Sequence, residues 1–371
     1  MPFDSVNKIW QGIKKPYPFS FDTYFGDELM KMLNKSPDTI MCVSHEENYA
    51  MTRGEARDLA INVAQNLLRL GIKSDDVIGM ICRNSKYLPV LMYGCVLVGA
   101  AINPLDVSFT KNDIKQMFEQ TKPKIVFCDF DVFTATKTAL NELENDAKIL
   151  TLLEYISETA FVDEILAPAI DNEVFTPPNF SQPADKKILA IICTSGTTGP
   201  PKGTIISHAF ALAWSNSYLE TLKIISLVFS PIYWISGFYS AMIIAFKPND
   251  TKIQTIKPFS VEIFKELVEK YKVNAIVMPP SQLQTFLNSP LSDTGDFSSL
   301  KMIFIGGSLA FSQMIESFRR KFPKVMLMNS YGMTEITLTV CPIGKSYKNV
   351  TAVGTPVPNA IIKIVDDDGN R

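Results

Sequence analysis

Residues 188–203 read ILAIICTSGTTGPPKG. The unbroken apolar run that ends at Thr194 predicts a buried strand over Ile188–Thr194. The ten residues from Thr194 to Gly203 then hold four hydroxyls, three glycines, two prolines and one lysine. Gly196 and Gly199 let the backbone approach a ligand closely. Thr194, Ser195, Thr197 and Thr198 line the loop with hydroxyl donors, and Lys202 adds a point charge. A loop of this chemistry behind a strand can surround a phosphate with N–H, O–H and ammonium groups. It is not the GxxxxGK[ST] loop, whose lysine follows the second glycine at once; Pro200 and Pro201 intervene here. Those prolines stiffen the loop and remove only their own N–H donors.

On either side of this stretch the chain alternates between strand and helix patterns. Thr52-Arg53-Gly54-Glu55 has capping-box spacing, and Ala56, Leu59, Ala60, Val63, Leu67 and Leu70 follow at helical intervals before Gly71, which predicts a helix over 53–70. Val77–Cys82 reads as a buried strand, the run from Tyr87 as a buried helix, Asn112–Gln120 as an amphipathic helix and Ile125–Phe127 as a strand. Beyond the loop, a helix is predicted at 208–222, strands at 225–229, 273–278 and 302–305, and helices at 261–272 and 311–322. This alternation predicts an α/β fold of two mostly parallel sheets flanked by helices. Short segments at Thr337–Cys341, around Thr355-Pro356 and at Ile361–Val365, with the turn Asp366–Gly369, predict the start of a small β subdomain. The expected division is 1–180 and 181–335 for the two α/β subdomains and 336–371 for the β part.

Composition narrows the class. With 371 residues, 46% hydrophobic and a net charge of −2, the chain suits a large globular core and carries no basic balance of the kind that attracts nucleic acid. Six scattered cysteines without a CxxC pair predict buried thiols in a reducing compartment. The N-terminus lacks a secretory pattern. Two uncharged stretches, 87–105 and 224–246, are broken by prolines and glycines and read as core rather than membrane spans. Only His45 and His208 are available, which leaves little material for a zinc site or a histidine-based triad.

TSGTTGPPKGTIISH resembles the signature loop of the adenylate-forming superfamily, which comprises acyl-CoA synthetases, 4-coumarate-CoA ligases, insect luciferases and peptide-synthetase adenylation domains. Gly306-Gly307-Ser308, Asn329-Ser330-Tyr331-Gly332-Met333-Thr334-Glu335 and Val353-Gly354-Thr355-Pro356-Val357-Pro358 resemble further motifs of that family in its order. Tyr49–Leu105 is similar to the first half of the 4-coumarate ligases and luciferases. The resemblance implies that ATP and a carboxylate form an acyl-adenylate, which coenzyme A then captures. Attack of a carboxylate on the α-phosphorus brings two anions together, so the protein's task is neutralisation and alignment.

Residue by residue, the resemblance implies that Thr194, Ser195, Gly196, Thr197, Thr198 and Lys202 hold the β- and γ-phosphates. Glu335 would bind Mg2+, Thr334 would contact the α-phosphate, and Tyr331 would flank the adenine opposite Gly306, Gly307 and Ser308. Asn329, Ser330 and Gly332 complete the nucleotide-binding set, and Lys202, Thr334 and Glu335 form the catalytic one. Trp234, with Ser236 and Gly237, would line the acid pocket; an indole there gives an apolar wall suited to a fatty or aromatic acid. Each residue also has a plain structural reading: Tyr331 and Trp234 as packed core aromatics, Glu335 as a charge at a helix N-terminus, His208 as an organiser of structure.

Asn329-Ser330 stands where many relatives have Gln-Gly, and Ser308 where alanine is usual. Complete members of the family continue into a ribose-binding aspartate, a hinge and a small mobile domain with an adenylation lysine. The expectation is therefore an acid-thiol ligase truncated before that domain, with a catalytically impaired nucleotide- or acyl-binding fragment as the alternative and oxidative light emission disfavoured by Trp234. The relatives' habits imply an intracellular setting, cytoplasm or peroxisome.

Overall fold

The computed structural model describes residues 3–17, 19–168, 175–194, 202–214, 223–341, 349 and 351–369. The fold is mixed α/β, with two seven-stranded, mostly parallel sheets flanked by helices. By contact density the chain divides into a larger unit, 18–223 with 228–258, and a smaller one, 1–17 with 224–227 and 259–371.

One seven-stranded sheet lies wholly in the larger unit. Its spatial order is Lys202–Ser207, Ile188–Thr194, Ala101–Pro104, Val77–Ile81, Ile125–Asp129, Lys148–Leu152 and Ala160–Phe161. All neighbours are parallel except the edge strand Lys202–Ser207, which runs antiparallel to Ile188–Thr194. The sequence reading of 194–203 as loop thus holds only in part, because Lys202 and Gly203 already belong to a strand.

Helix Arg53–Arg69 starts where the capping pattern predicts. The Thr52 side chain accepts from the Glu55 N–H, while the Glu55 carboxylate takes the Tyr49 hydroxyl. It buries Ala56, Ala60, Val63 and Leu67 of the 3.6-residue face read from sequence, together with Ala64, whereas Leu59 is half-buried and Leu70, one residue past the helix, is exposed. Helix Leu88–Val98 is buried on all sides and ends at Gly99, whose φ of 75° is the left-handed cap that glycine adopts without strain. That full burial explains an apolar run that could pass for a membrane span. Among the described residues no helix is long and apolar enough to cross a membrane.

Arg53 is fully buried, and among the described residues no carboxylate forms an ion pair with it. Its guanidinium donates to the carbonyls of Ile244, Ala245, Lys247, Pro248 and Asp250, so its charge is spread over several peptide dipoles. The larger unit also holds the parallel pair Thr251–Gln254 and Ile40–Ser44, and the hairpin from Ile40–Ser44 to Tyr49–Thr52.

In the smaller unit, Ala275–Met278, Met302–Ile305 and Met326–Asn329 form a parallel ladder. In the same unit Phe264, Phe286, Phe297, Phe318 and Phe322 pack in edge-to-face, stacked and tilted pairs, with centroids 4.9–5.9 Å apart. Tyr331–Met333, Thr337–Cys341 and Thr355–Pro356 form a small antiparallel sheet. Ile361–Lys363 pairs with Ile9–Gln11, which in turn pairs with Phe3–Asp4. The five cysteines whose side chains are described are free and buried.

Candidate active site

In the larger unit, the two strands that carry the signature motif close a hairpin. Thr194 pairs with Lys202 across the last rung, and the Thr194 hydroxyl lies 3.4 Å from the Lys202 carbonyl. The seven intervening positions, with Ser195, Gly196, Thr197 and Thr198, fall outside the described residues. Lys202 and Gly203 are exposed. A Cβ on Gly203 would come 2.7 Å from the Ile191 side chain, so glycine lets the two strands meet there.

At the far end of Lys202–Ser207 stands His208, fully buried. Its Nδ1 accepts the Phe25 N–H at 3.3 Å, and the rings of Tyr24 and Phe180 lie 5.8 and 6.0 Å away. Burial, reinforced by the nearby Lys187 ammonium, pushes its pKa down to about 3. A neutral imidazole used as a backbone acceptor is an organiser of structure, as expected.

Trp234 is 54% exposed, which removes the core-packing reading. It caps helix Ile235–Ile243 in an extended conformation, its N–H donating to the Pro231 carbonyl at 3.1 Å. Its ring meets Tyr233 edge-on at 5.2 Å, and Tyr233 meets Phe109 at 5.0 Å. Ser236 is half-buried in the first turn of the same helix. Gly237 is buried, and a Cβ there would lie 2.2 Å from the Pro231 carbonyl and 2.4 Å from that of Ser230. Glycine at 237 therefore allows the helix to sit directly on the turn that carries Trp234.

In the smaller unit the two other motifs adjoin. Ile305 and Asn329 are register partners at the ends of their strands, and the Ser330 N–H donates to the Ile305 carbonyl at 2.9 Å. Gly306 lies so close to the Ser330 carbonyl that a Cβ would be 3.1 Å from it, and Gly307 has φ of 84°. Gly307 and Ser308 are exposed on the resulting turn. Asn329 is buried and its amide donates to the Thr351 carbonyl at 3.1 Å, so this residue ties the motif to the following segment. Tyr331 is 54% exposed and pairs with Val340, which excludes its reading as a core aromatic. Gly332 stands at a bulge opposite Leu338.

Half-buried Thr334 and exposed Glu335 lie in the turn that joins Tyr331–Met333 to Thr337–Cys341. Glu335 is thus at a hairpin tip and not at the start of a helix. An exposed carboxylate oxygen suits a hard ion such as Mg2+, which keeps several waters and is bound through one or two carboxylates together with phosphate. Among the described residues no group of three or more His, Cys, Asp or Glu side chains is placed to hold a metal.

The AMP-binding enzyme family matches residues 30–371. The chain belongs to this family. Among curated proteins it is 24% identical over 395 residues to luciferin 4-monooxygenase of Photinus pyralis, covering 99% of this chain and 69% of that protein. It is 27% identical over 331 residues to 4-coumarate–CoA ligase 1 of Solanum tuberosum, covering 85% of this chain and 59% of the ligase. Among solved structures, the luciferase-like enzyme of the nonluminescent Zophobas morio mealworm superposes with a TM-score of 0.89 at 23% identity, covering 98% of this chain and 85% of that one. A long-chain-fatty-acid-CoA ligase of Archaeoglobus fulgidus gives 0.83 at 18% identity, over 97% of this chain and 74% of the other. These likenesses confirm the α/β fold of the AMP-binding family member.

Sequence reasoning passed over the residues that brace the Trp234 turn, Asn84 and Phe109. Asn84 had a legible signal: Arg83-Asn84-Ser85 follows the C-terminal end of a parallel strand, where polar side chains at α/β sheets gather.

Proposed function

We propose that this AMP-binding family member activates a fatty or aromatic carboxylic acid with ATP, and that the whole protein passes the acyl group to coenzyme A as an acid-thiol ligase. The observation that carries the reading is the hairpin register, which sets Lys202 opposite Thr194 at the two ends of the hydroxyl-glycine loop. The lysine and the loop donors neutralise the β- and γ-phosphates. Tyr331 and the turn 306–308 flank the adenine, and Thr334 contacts the α-phosphate. Glu335 would hold Mg2+, which supplies further positive charge against the phosphates when bound. The exposed indole of Trp234 forms an apolar wall for the acid, with Ser236 beside it. In this division of labour the protein aligns the carboxylate and stabilises charge developing on phosphate.

ATP–pyrophosphate exchange with a panel of fatty and cinnamic acids tests the reading. Exchange with at least one acid, abolished by Lys202→Ala, supports it. No exchange with any acid, alongside measurable ATP binding, assigns the chain to nucleotide binding instead.

A further inference from the structure

The connection 82–85, which follows the strand Val77–Ile81, is held at both ends. On one side, the Arg83 backbone N–H and guanidinium both donate to the buried Asp129 carboxylate, at 3.0 and 2.8 Å, and the same guanidinium grips Asp131 at 2.8 and 2.6 Å. On the other, the buried Gln254 amide donates to the Ser85 carbonyl at 2.7 Å. Between these anchors stands Asn84, 4% exposed. Its Nδ2 donates to the Ser230 carbonyl at 3.2 Å, while its Oδ1 is buried without a partner among the described residues.

That arrangement is informative because a buried amide with one unmet acceptor is unfavourable. Flipping the amide would turn its oxygen against the Ser230 carbonyl, so the donor direction is fixed by the turn. Ser230 opens the segment that ends at Trp234. The same carbonyl, with that of Pro231, abuts Gly237 and the first turn of helix Ile235–Ile243, and the Pro231 carbonyl receives the Trp234 N–H. Asn84 is thus a post on a loop anchored at both ends, and its single hydrogen bond reaches the base of the turn that presents the indole.

We infer that Asn84 is a positioning residue for acid selectivity: it fixes the Ser230–Trp234 turn and, through it, the wall formed by Trp234. This rests on the reading that Trp234 lines the acid pocket. Asn84 touches neither acid nor nucleotide in this scheme, so its loss changes the KM for acid and the preference among acids while the KM for ATP stays constant.

The test uses a Trp10→Phe, Trp214→Phe background, in which Trp234 is the sole tryptophan. Asn84→Ala is expected to raise acrylamide quenching of Trp234 and to change the ratio of exchange rates between long and short acids about fivefold, the weight of one hydrogen bond. Asn84→Ser, a smaller loss of volume, serves if the alanine protein does not fold. Unchanged quenching and an unchanged acid ratio in a variant with the parental unfolding temperature would overturn the inference. If Trp234→Ala leaves the acid KM unchanged, or the parent shows no exchange, the pocket reading fails. The quenching arm then still decides whether Asn84 holds the turn: increased quenching supports that role and unchanged quenching overturns it.

Discussion

Thr194 and Lys202 face each other across the last rung of an antiparallel hairpin, with the Thr194 hydroxyl 3.4 Å from the Lys202 carbonyl. The ladder fixes where the signature loop leaves and re-enters the sheet, so an exposed ammonium is anchored by a strand. Replacing Lys202 by alanine is expected to lower ATP–pyrophosphate exchange about 100-fold or more. Unfolding should shift by less than about 0.5 kcal/mol, since an exposed side chain is removed. Exchange kinetics and thermal unfolding of one preparation check both.

Glu335 sits at a hairpin tip, where its carboxylate can change without disturbing the core. Glu335→Gln keeps the shape and removes the charge. The expected result is a rise in the Mg2+ concentration needed for half-maximal exchange, of about tenfold or more, with unchanged thermal unfolding. An unaltered Mg2+ titration would remove Glu335 from the metal's ligands.

At Gly237 the structure leaves no space: a Cβ would sit 2.2 Å from a backbone carbonyl oxygen. Gly237→Ala must push the 235–243 helix off the turn, and a loss of about 1 to 3 kcal/mol is expected from such overpacking. Urea unfolding measures it, and an acid KM altered in the same variant would tie the helix position to the pocket.

His208 gives the pH dependence a sign. Its folded pKa is pushed down to about 3 from 6.5, so between those values the unfolded chain binds a proton that the folded chain excludes. Stability therefore falls as pH drops below 6.5, by about 1.4 kcal/mol per unit for this group. His208→Gln should flatten the stability curve between pH 6.5 and 3. Because the native imidazole accepts the Phe25 N–H, the variant should also lose about 1 kcal/mol near neutrality.

Much of the fold was legible because its elements repeat locally. Met302–Ile305 and Thr337–Cys341 appear with the boundaries read from the sequence, and the helix read at 53–70 ends one residue earlier. The paired strands Ile40–Ser44 and Tyr49–Thr52 escaped notice. So did the strand at Lys202–Ser207, since its short KGTIIS run carries no regular apolar-polar alternation that marks a ladder. At the candidate site, the motif residues stood out by type and spacing, whereas the exposure of Tyr331 and Trp234 and the turn under Glu335 did not.

The sequence by itself determined the α/β class, the family motifs and the faces that helices bury, because a 3.6-residue period and a hydroxyl-glycine loop are properties of a short window. Only the tertiary structure decided partners. Ile361–Lys363 joins Ile9–Gln11, and Asn84 reaches Ser230, across separations that no local pattern records. Those pairings follow from which backbone groups are left to be satisfied once the sheets have packed.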